Sequence, residues 1–370
     1  CSMCAMLCPL EIDTAKVALN LKPQMVGTFS TFVAQQTSRH FANVVSAVKG
    51  GVKCSNMLFS AFGANIVSEV SKKAHKVLKT PYMPRSFPQA NDFVYKPLLE
   101  ANSQDSTNDT RMKVLYFSTC INRAFAPSKR ARDKRSLQEV FESICKKADI
   151  AVIYPHNLGN LCCGKAYKDY PHIALQKAQE AYNALKTSIA KLGGNVSMVC
   201  DHSACSYELM QQVKMIESRR EGEDKLHIYD MPQFVDSVLL ERLNITPIDE
   251  DIALYAMCAT KKGKWDKSLE SIAKACVKGK VIGHNKTQCC GFAGNKGFTC
   301  PELNESALRE FKAFYAKTQQ EYYTRVDSQT RQLQRGFASS STCEIGLNDK
   351  TNIIWQNLLY LVDEVSSPRD

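Results

Sequence analysis

No stretch of this 370-residue chain approaches 18 consecutive apolar residues, so the sequence offers no helix able to cross a bilayer. It has no secretory signal peptide either, and it opens at a cysteine rather than a methionine, which reads as a piece of something longer. The neighbourhoods of Gly159 and Gly193-Gly194 lack the G-x-G-x-x-G spacing that cradles a dinucleotide, so no flavin or nicotinamide site is expected within these residues. Nucleic-acid motifs are missing as well. The net charge of +11 is spread along the chain, in runs such as Lys129-Arg130-Ala131-Arg132 and Arg219-Arg220, and reads as solvated faces rather than a nucleic-acid footprint. Attraction to an anionic membrane surface or an acidic partner stays open. The composition, 44% hydrophobic and 23% charged, is that of a soluble globular protein of two or three domains.

Cysteine, by contrast, is plentiful. Sixteen cysteines in a short, loop-rich secreted chain would read as a disulfide scaffold, but this chain is long and helically patterned. Reduced thiols in a cytoplasmic or cytoplasm-facing protein are expected instead. Cys162-Cys163-Gly164 recurs as Cys289-Cys290-Gly291. A lone cysteine precedes each doublet (Cys120, Cys258) and another follows (Cys205, Cys343), at offsets of 138, 127 and 138 between copies. The chain therefore carries a long internal duplication. Adjacent cysteines in a strand point to opposite faces, so a doublet that grips one object belongs in a turn, and the glycine supplies the freedom for it.

Residues 1–80 show helical spacing without β-branched alternation. Residues 81–111, with four prolines and then an Asn/Ser/Asp-rich tract, read as a linker or wrapping loop. From Met112 strand and helix signals alternate. Strands are expected over 114–117, 150–154 and 196–199, with helices over 136–147, 167–192 and from about Ser206. The second copy repeats this with strands over 252–255 and 281–282 and helices over 269–276 and 302–323. The expectation is α/β: a helical segment (1–80), then two duplicated lobes, 112–245 and 246–370, with mostly parallel sheets. In such sheets ligands gather at the carboxyl ends of strands, where Cys120 and Cys258 fall.

The first motif, Cys1-Ser-Met-Cys4-Ala-Met-Leu-Cys8-Pro9, matches the last three cysteines of the bacterial ferredoxin run C-x2-C-x2-C-x3-C-P. Its spacing suits a four-iron cluster better than a zinc knuckle, and the fragment cannot complete the site alone. The two doublet sets, Cys120, Cys162, Cys163, Cys205 and Cys258, Cys289, Cys290, Cys343, offer four thiols each, enough for one [4Fe–4S] cluster or a zinc ion. Cys54, Cys145 and Cys276 lie in helical patterns and are expected as buried core thiols, with Cys200 and Cys300 as neighbours of the motifs rather than ligands.

The doublet sets resemble the cysteine-rich CCG domain of the heterodisulfide reductase B type and of the iron–sulfur components of glycerol-3-phosphate, glycolate and lactate oxidising enzymes. That family continues with C-x2-C, whereas this chain has His202 and Ser340 where the first of those cysteines would stand. The run from Gln288 to Leu303, with Ser341-Thr-Cys-Glu-Ile-Gly-Leu347 and Tyr360-Leu-Val-Asp-Glu364, is similar to the C-terminal end of bacterial flavin-linked D-2-hydroxyacid dehydrogenases, the D-lactate and D-2-hydroxyglutarate type. That resemblance spans essentially the whole chain. It implies an oxidoreductase whose substrate chemistry belongs to a fused N-terminal flavin-oxidase half carrying FAD, absent here. This chain would be its iron–sulfur portion, passing electrons to a quinone or other respiratory carrier, cytoplasmic and in peripheral contact with the inner membrane, with homo-oligomerisation left open. Two alternatives stand beside it: a freestanding thiol/disulfide redox protein of the heterodisulfide reductase B type, and a zinc-stabilised interaction module.

Overall fold

The computed structural model describes residues 3–10, 12–96, 110–194, 196–218, 225–284, 289–324 and 333–369. Cys1, Arg219, Arg220 and Gln288 of the motifs above lie outside them, as does the stretch 97–109 of the expected linker.

Among the described residues, the N-terminal part carries helices Met3–Leu7, Thr14–Leu21, Thr28–Arg39, Phe41–Phe62 and Ala64–Leu78, and no strand before Pro88. Asp13 caps the second helix by accepting from the Lys16 N–H at 3.0 Å. Gly63, at φ +80, separates the two longest helices. Helix Phe41–Phe62 turns Phe41, Val52 and Phe59 inward. Cys54 lies on its outer side and is exposed, so the expectation of a buried core thiol fails there. Helical spacing alone did not reveal which stripe the lobes would cover. Cys145 and Cys276 are buried in the main core.

Two four-stranded parallel sheets follow. The first contains β1 (Met112–Phe117), β2 (Ile150–Ile153), β3 (Ser197–Cys200) and β4 (Ile228–Asp230), in the order β2-β1-β3-β4. The second contains β5 (Ile252–Tyr255), β6 (Val281–Gly283), β7 (Arg335–Ala338) and β8 (Ile354–Asn357), in the order β6-β5-β7-β8. The strand order is the same in both. In each sheet the order reverses between the first and third strands, which opens the crevice where such sheets bind ligands. Apolar runs such as Val114-Leu115-Tyr116-Phe117 are buried on both faces, as parallel strands covered by helices must be.

The lobes share one continuous core. Helix Leu358–Val365, which closes the second sheet, packs on helix Leu137–Lys147 of the first; Met231–Phe234, which follows β4, packs on Asp266–Cys276 of the second. Strands Leu243–Ile245 and Ser366–Pro368 pair antiparallel across the junction. A buried carboxylate fastens it further. Asp363 receives Arg135 at 2.6 Å, Lys147 at 2.7 Å and Ser143 at 2.8 Å, and these bonds outweigh burial and hold its pKa below the usual carboxylate value.

The segment after helix Ala64–Leu78 is strapped to both lobes. The Tyr82 N–H donates to the Phe298 carbonyl at 2.7 Å and the Ser86 hydroxyl to the Ile345 carbonyl at 2.7 Å, while the Asn91 amide reaches the Gln138 side chain at 2.9 Å. No helix among the described residues is long and apolar enough to cross a membrane.

Candidate functional site

Each four-thiol set is assembled from the same three places. Cys120 and Cys258 are the first residues of short helices, Cys120–Ala124 and Cys258–Lys262, directly after β1 and β5. Cys205 and Cys343 are the third residues of helices Ser203–Glu217 and Ser341–Lys350, directly after β3 and β7. Both pairs therefore flank the crevice between the first and third strands, and the doublets enter it from the side.

The doublet glycines explain how. Gly164 has φ +90 and Gly291 φ +72, a region that side chains with a Cβ rarely adopt. Each is also pressed onto the helix that follows. A Cβ on Gly164 would lie 2.6 Å from the Ala174 carbonyl oxygen, and one on Gly291 would lie 2.8 Å from the Asn304 Cα. Asn304, buried, donates to the Cys290 carbonyl at 2.6 Å and locks the second turn.

In the first set the thiols act on one another in the order Cys120, Cys162, Cys163, Cys205. Cys120 and Cys163, with the backbone N–H groups of Gly164 and Ala166, outweigh burial and pull the Cys162 thiol down. Cys163 likewise pulls Cys205 down against burial, helped by His202. Cys120 and Cys163, the donors, are pushed up.

The second set runs Cys258, Cys289, Cys290, Cys343, with the Cys290 and Cys343 sulfurs 3.1 Å apart. Here Cys290 and Cys258 are pulled down, chiefly by their thiol partners, and Cys289 and Cys343 are pushed up. In each set two of the four thiols are shifted towards the thiolate, the form that binds metal.

Two of the sulfurs, those of Cys290 and Cys343, stand closer than a bound ion would place them. A tetrahedral zinc with bonds of ~2.3 Å spaces its sulfurs by ~3.8 Å. Among the described residues, accordingly, no three His, Cys, Asp or Glu side chains ring a single metal position. The donor set nonetheless suits a thiophilic group: four convergent sulfurs, held by strand ends, helix starts and backbone N–H donors, with no carboxylate among them.

His202 and Ser340 meet between the two sets. They occupy equivalent places, each capping the helix that carries the last cysteine, and His202 Nε2 lies 2.8 Å from Ser340 Oγ. Cys205 raises the imidazole's pKa although burial opposes this, and its Nδ1 has no hydrogen-bond partner among the described residues. Asp201 ties the loop of Cys120 to the end of β3, accepting from Tyr116 at 2.9 Å and from the Thr119 N–H at 3.0 Å. Across the same junction Ser203 reaches Ser339 at 3.2 Å, and Thr260 and Ser339 are 2.8 Å apart. Glu344, buried, has its pKa pushed up to about 8 by burial.

The N-terminal cysteine motif is described only in part. Cys8 is half-buried just past helix Met3–Leu7; nothing is described of Cys1 or of the Cys4 side chain. The chain after Cys8 reaches the first set: Lys22 pairs with Asp169, just past the first doublet, at 3.5 Å. Helices Thr28–Arg39 and Phe41–Phe62 cover the first set, with Ala34 and Phe41 packed in one cluster with Cys162 and Cys120. Cys200 is buried within β3 and Cys300 begins the turn into helix Pro301–Ala307.

Sequence reasoning singled out His202 and Ser340 but did not pair them; the shared offset of 138 that aligns Cys205 with Cys343 also aligns these two. It did not reach Asp201, Asn304 or Glu344, which act through their neighbours. No family model matches the chain, and no curated protein matches it.

Proposed function

We propose that this chain is the iron–sulfur portion of a flavin-dependent D-2-hydroxyacid dehydrogenase, relaying electrons from reduced flavin towards a respiratory carrier such as a quinone. The observation that carries the proposal is the repeated construction of two convergent four-thiol sets at the same crevice of two sheets with the same strand order. The identical order, the exchanged closing helices and the meeting of His202 with Ser340 also support two CCG lobes related by an approximate two-fold axis. Bound iron–sulfur clusters would supply one-electron chemistry.

The chain's own residues do the rest. Cys120, Cys162, Cys163 and Cys205 would hold one cluster and Cys258, Cys289, Cys290 and Cys343 another, with Cys1, Cys4 and Cys8 contributing to a third. The Gly291 N–H donates to the Cys289 sulfur at 3.4 Å, and the backbone N–H groups of Gly164 and Ala166 lower Cys162 as those of Phe292 and Ala293 lower Cys290, which favours negative charge on the doublets. Burial of Cys162, Cys163 and Cys290 keeps water from their sulfurs, while Cys289 is half-buried. FAD and the hydroxyacid belong to the fused oxidase half.

A second reading is favoured by one distance. Sulfurs 3.1 Å apart at Cys290 and Cys343 are poised for thiol/disulfide exchange of the heterodisulfide reductase B kind. Anaerobic reconstitution with iron and sulfide decides among the readings. Broad visible absorption bleached by dithionite supports clusters. A colourless protein that binds zinc supports the interaction module, and a colourless one that cycles two thiols supports the exchange reading.

A further inference from the structure

Arg123 is built into the frame of the first thiol set. It sits one turn into the helix that Cys120 begins, where its own N–H donates to the Thr119 carbonyl at 2.9 Å. Its guanidinium reaches the chain that leads into the doublet, donating to the Leu158 carbonyl and, at 2.8 Å, to the Leu161 carbonyl. Those two residues bracket the single turn Leu158–Asn160, both are buried, and Leu161 is followed directly by Cys162. Two N–H groups in one rigid plane hold two carbonyls at once, a grip that a lysine ammonium does not reproduce. Arg123 therefore ties the element that delivers Cys120 to the element that delivers Cys162.

Its charge is left uncancelled. Two of its nitrogens face neutral carbonyls and Nε is buried without a partner, so no carboxylate among the described residues pairs with it. Asp201, the buried carboxylate that ties the Cys120 loop to β3, is spent on Tyr116 and the Thr119 N–H instead. A guanidinium keeps its proton under all ordinary conditions. Arg123 is half-buried, and a charge in such a place is screened much less than one at the surface. The Cys120 thiol registers it: Cys162 and burial push that thiol up, and the Arg123 charge works against them.

One-electron reduction adds one negative charge to an iron–sulfur cluster, so a fixed positive charge beside it favours the reduced form. In the second copy Lys261 stands at the equivalent place, at the same offset of 138 that relates Cys120 to Cys258. A single ammonium there cannot form the fork. Two sets alike in sulfur are thus framed by different cations.

We propose that Arg123 is a positioning residue of the first set: its fork fixes the approach of the doublet relative to Cys120, and its unpaired charge raises the reduction potential of the cluster those four cysteines hold. The proposal rests on the iron–sulfur reading above. Arg123 acts through the Leu158 and Leu161 carbonyls and through space, and no bond from it to the cluster is required.

The test uses the full chain, reconstituted anaerobically with iron and sulfide, in three variants. Arg123→Gln keeps a donor without the charge, Arg123→Lys keeps the charge without the fork, and Lys261→Gln removes the cation of the other set. Dithionite supplies one electron per cluster in a potentiometric titration followed by electron paramagnetic resonance. Arg123→Gln should lower one midpoint by about 59 mV, a tenfold change in a one-electron equilibrium. Arg123→Lys should restore most of that shift, and Lys261→Gln should leave that midpoint at its wild-type value. Release of iron to a chelator should run several-fold faster in both Arg123 variants, since neither spans the two carbonyls. If Arg123→Gln holds no cluster, Arg123→Lys decides: a wild-type midpoint with faster release supports the proposal, and a lowered midpoint overturns it. An unmoved midpoint in Arg123→Gln, equal lowering in both Arg123 variants, or wild-type release from both would also overturn it. A wild-type chain that forms no coloured cluster overturns the iron–sulfur reading and this proposal together, whereas a coloured one with unmoved midpoints removes this proposal alone.

Discussion

Gly291 and Gly294 form an internal experiment. Both sit at positive φ, +72 and +79, three residues apart in the second doublet's turn. A Cβ on Gly294 meets nothing within 4 Å, whereas one on Gly291 runs into the Leu303 carbonyl and the Asn304 Cα. Gly294→Ala should therefore cost only the left-handed backbone penalty, ~1–2 kcal/mol. Gly291→Ala adds an overpacking cost of ~1–3 kcal/mol, because the obstacle is helix backbone rather than a flexible side chain. Relief requires the doublet to move away from helix Pro301–Ala307, which also strains the bond from Asn304 to the Cys290 carbonyl. Urea unfolding of the two variants should thus separate by ~1–3 kcal/mol. Colorimetric iron per reconstituted chain should fall for Gly291→Ala and hold for Gly294→Ala. Equal losses of stability and iron in the two would refute the idea that the turn is pinned by the helix behind it.

Cys290→Ser should remove the iron held by the second set while Cys276→Ala, in the core of helix Asp266–Cys276, costs only packing, ~1 kcal/mol; iron analysis of both settles the frame, and the reverse pattern would sink it. Burial raises Asp230 to about 7 despite bonds from Ser206 and Ser203, so the folded chain keeps a proton that the unfolded chain releases at lower pH. Its contribution therefore weakens the fold as pH rises from ~4 to ~7, by up to ~1.4 kcal/mol per unit, and is constant above. Asp230→Asn should flatten that part of the pH profile in urea titrations at pH 5 and 8, and an unchanged slope would count against it. Asp363→Ala removes the shared acceptor of Lys147 and Ser143 at the lobe junction, while Arg135 keeps Asp133, and should cost ~1.5–3 kcal/mol, measured by denaturant; a loss under ~0.5 kcal/mol would show the network to be idle.

The cysteine frame was legible because duplication repeats it at fixed offsets, and strands such as 252–255 announced themselves as unbroken apolar runs. β7 and β8 did not. β7 contains Gly336, and a Cβ there would strike the Trp355 ring of β8 2.5 Å away, so the pair interlocks through a residue that propensity counts against a strand. β4 is only three residues long, too short for periodicity to register. The expected helix over 302–323 is two, Pro301–Ala307 and Arg309–Thr324, because Leu308 turns into the second core, where it is buried, with no Gly or Pro to mark the break. Cys54 failed for a related reason: several stripes of its helix are apolar, and which one is covered depends on partners distant in sequence.

The exchanged closing helices have an evolutionary reading. A single-lobe chain could make the same contacts with a second copy of itself, each copy lending its last helix to the other, so the fused protein has the anatomy of a homodimer written into one polypeptide. In such a dimer the residue at the position of His202 would face its own twin. Two imidazoles there would compete for one proton, and two serines would leave both sulfur sets alike. A single polypeptide is free of that restriction. One half carries a histidine and the other a serine, which gives a hydrogen-bonded pair at the seam and two thiol sets in different electrostatic surroundings.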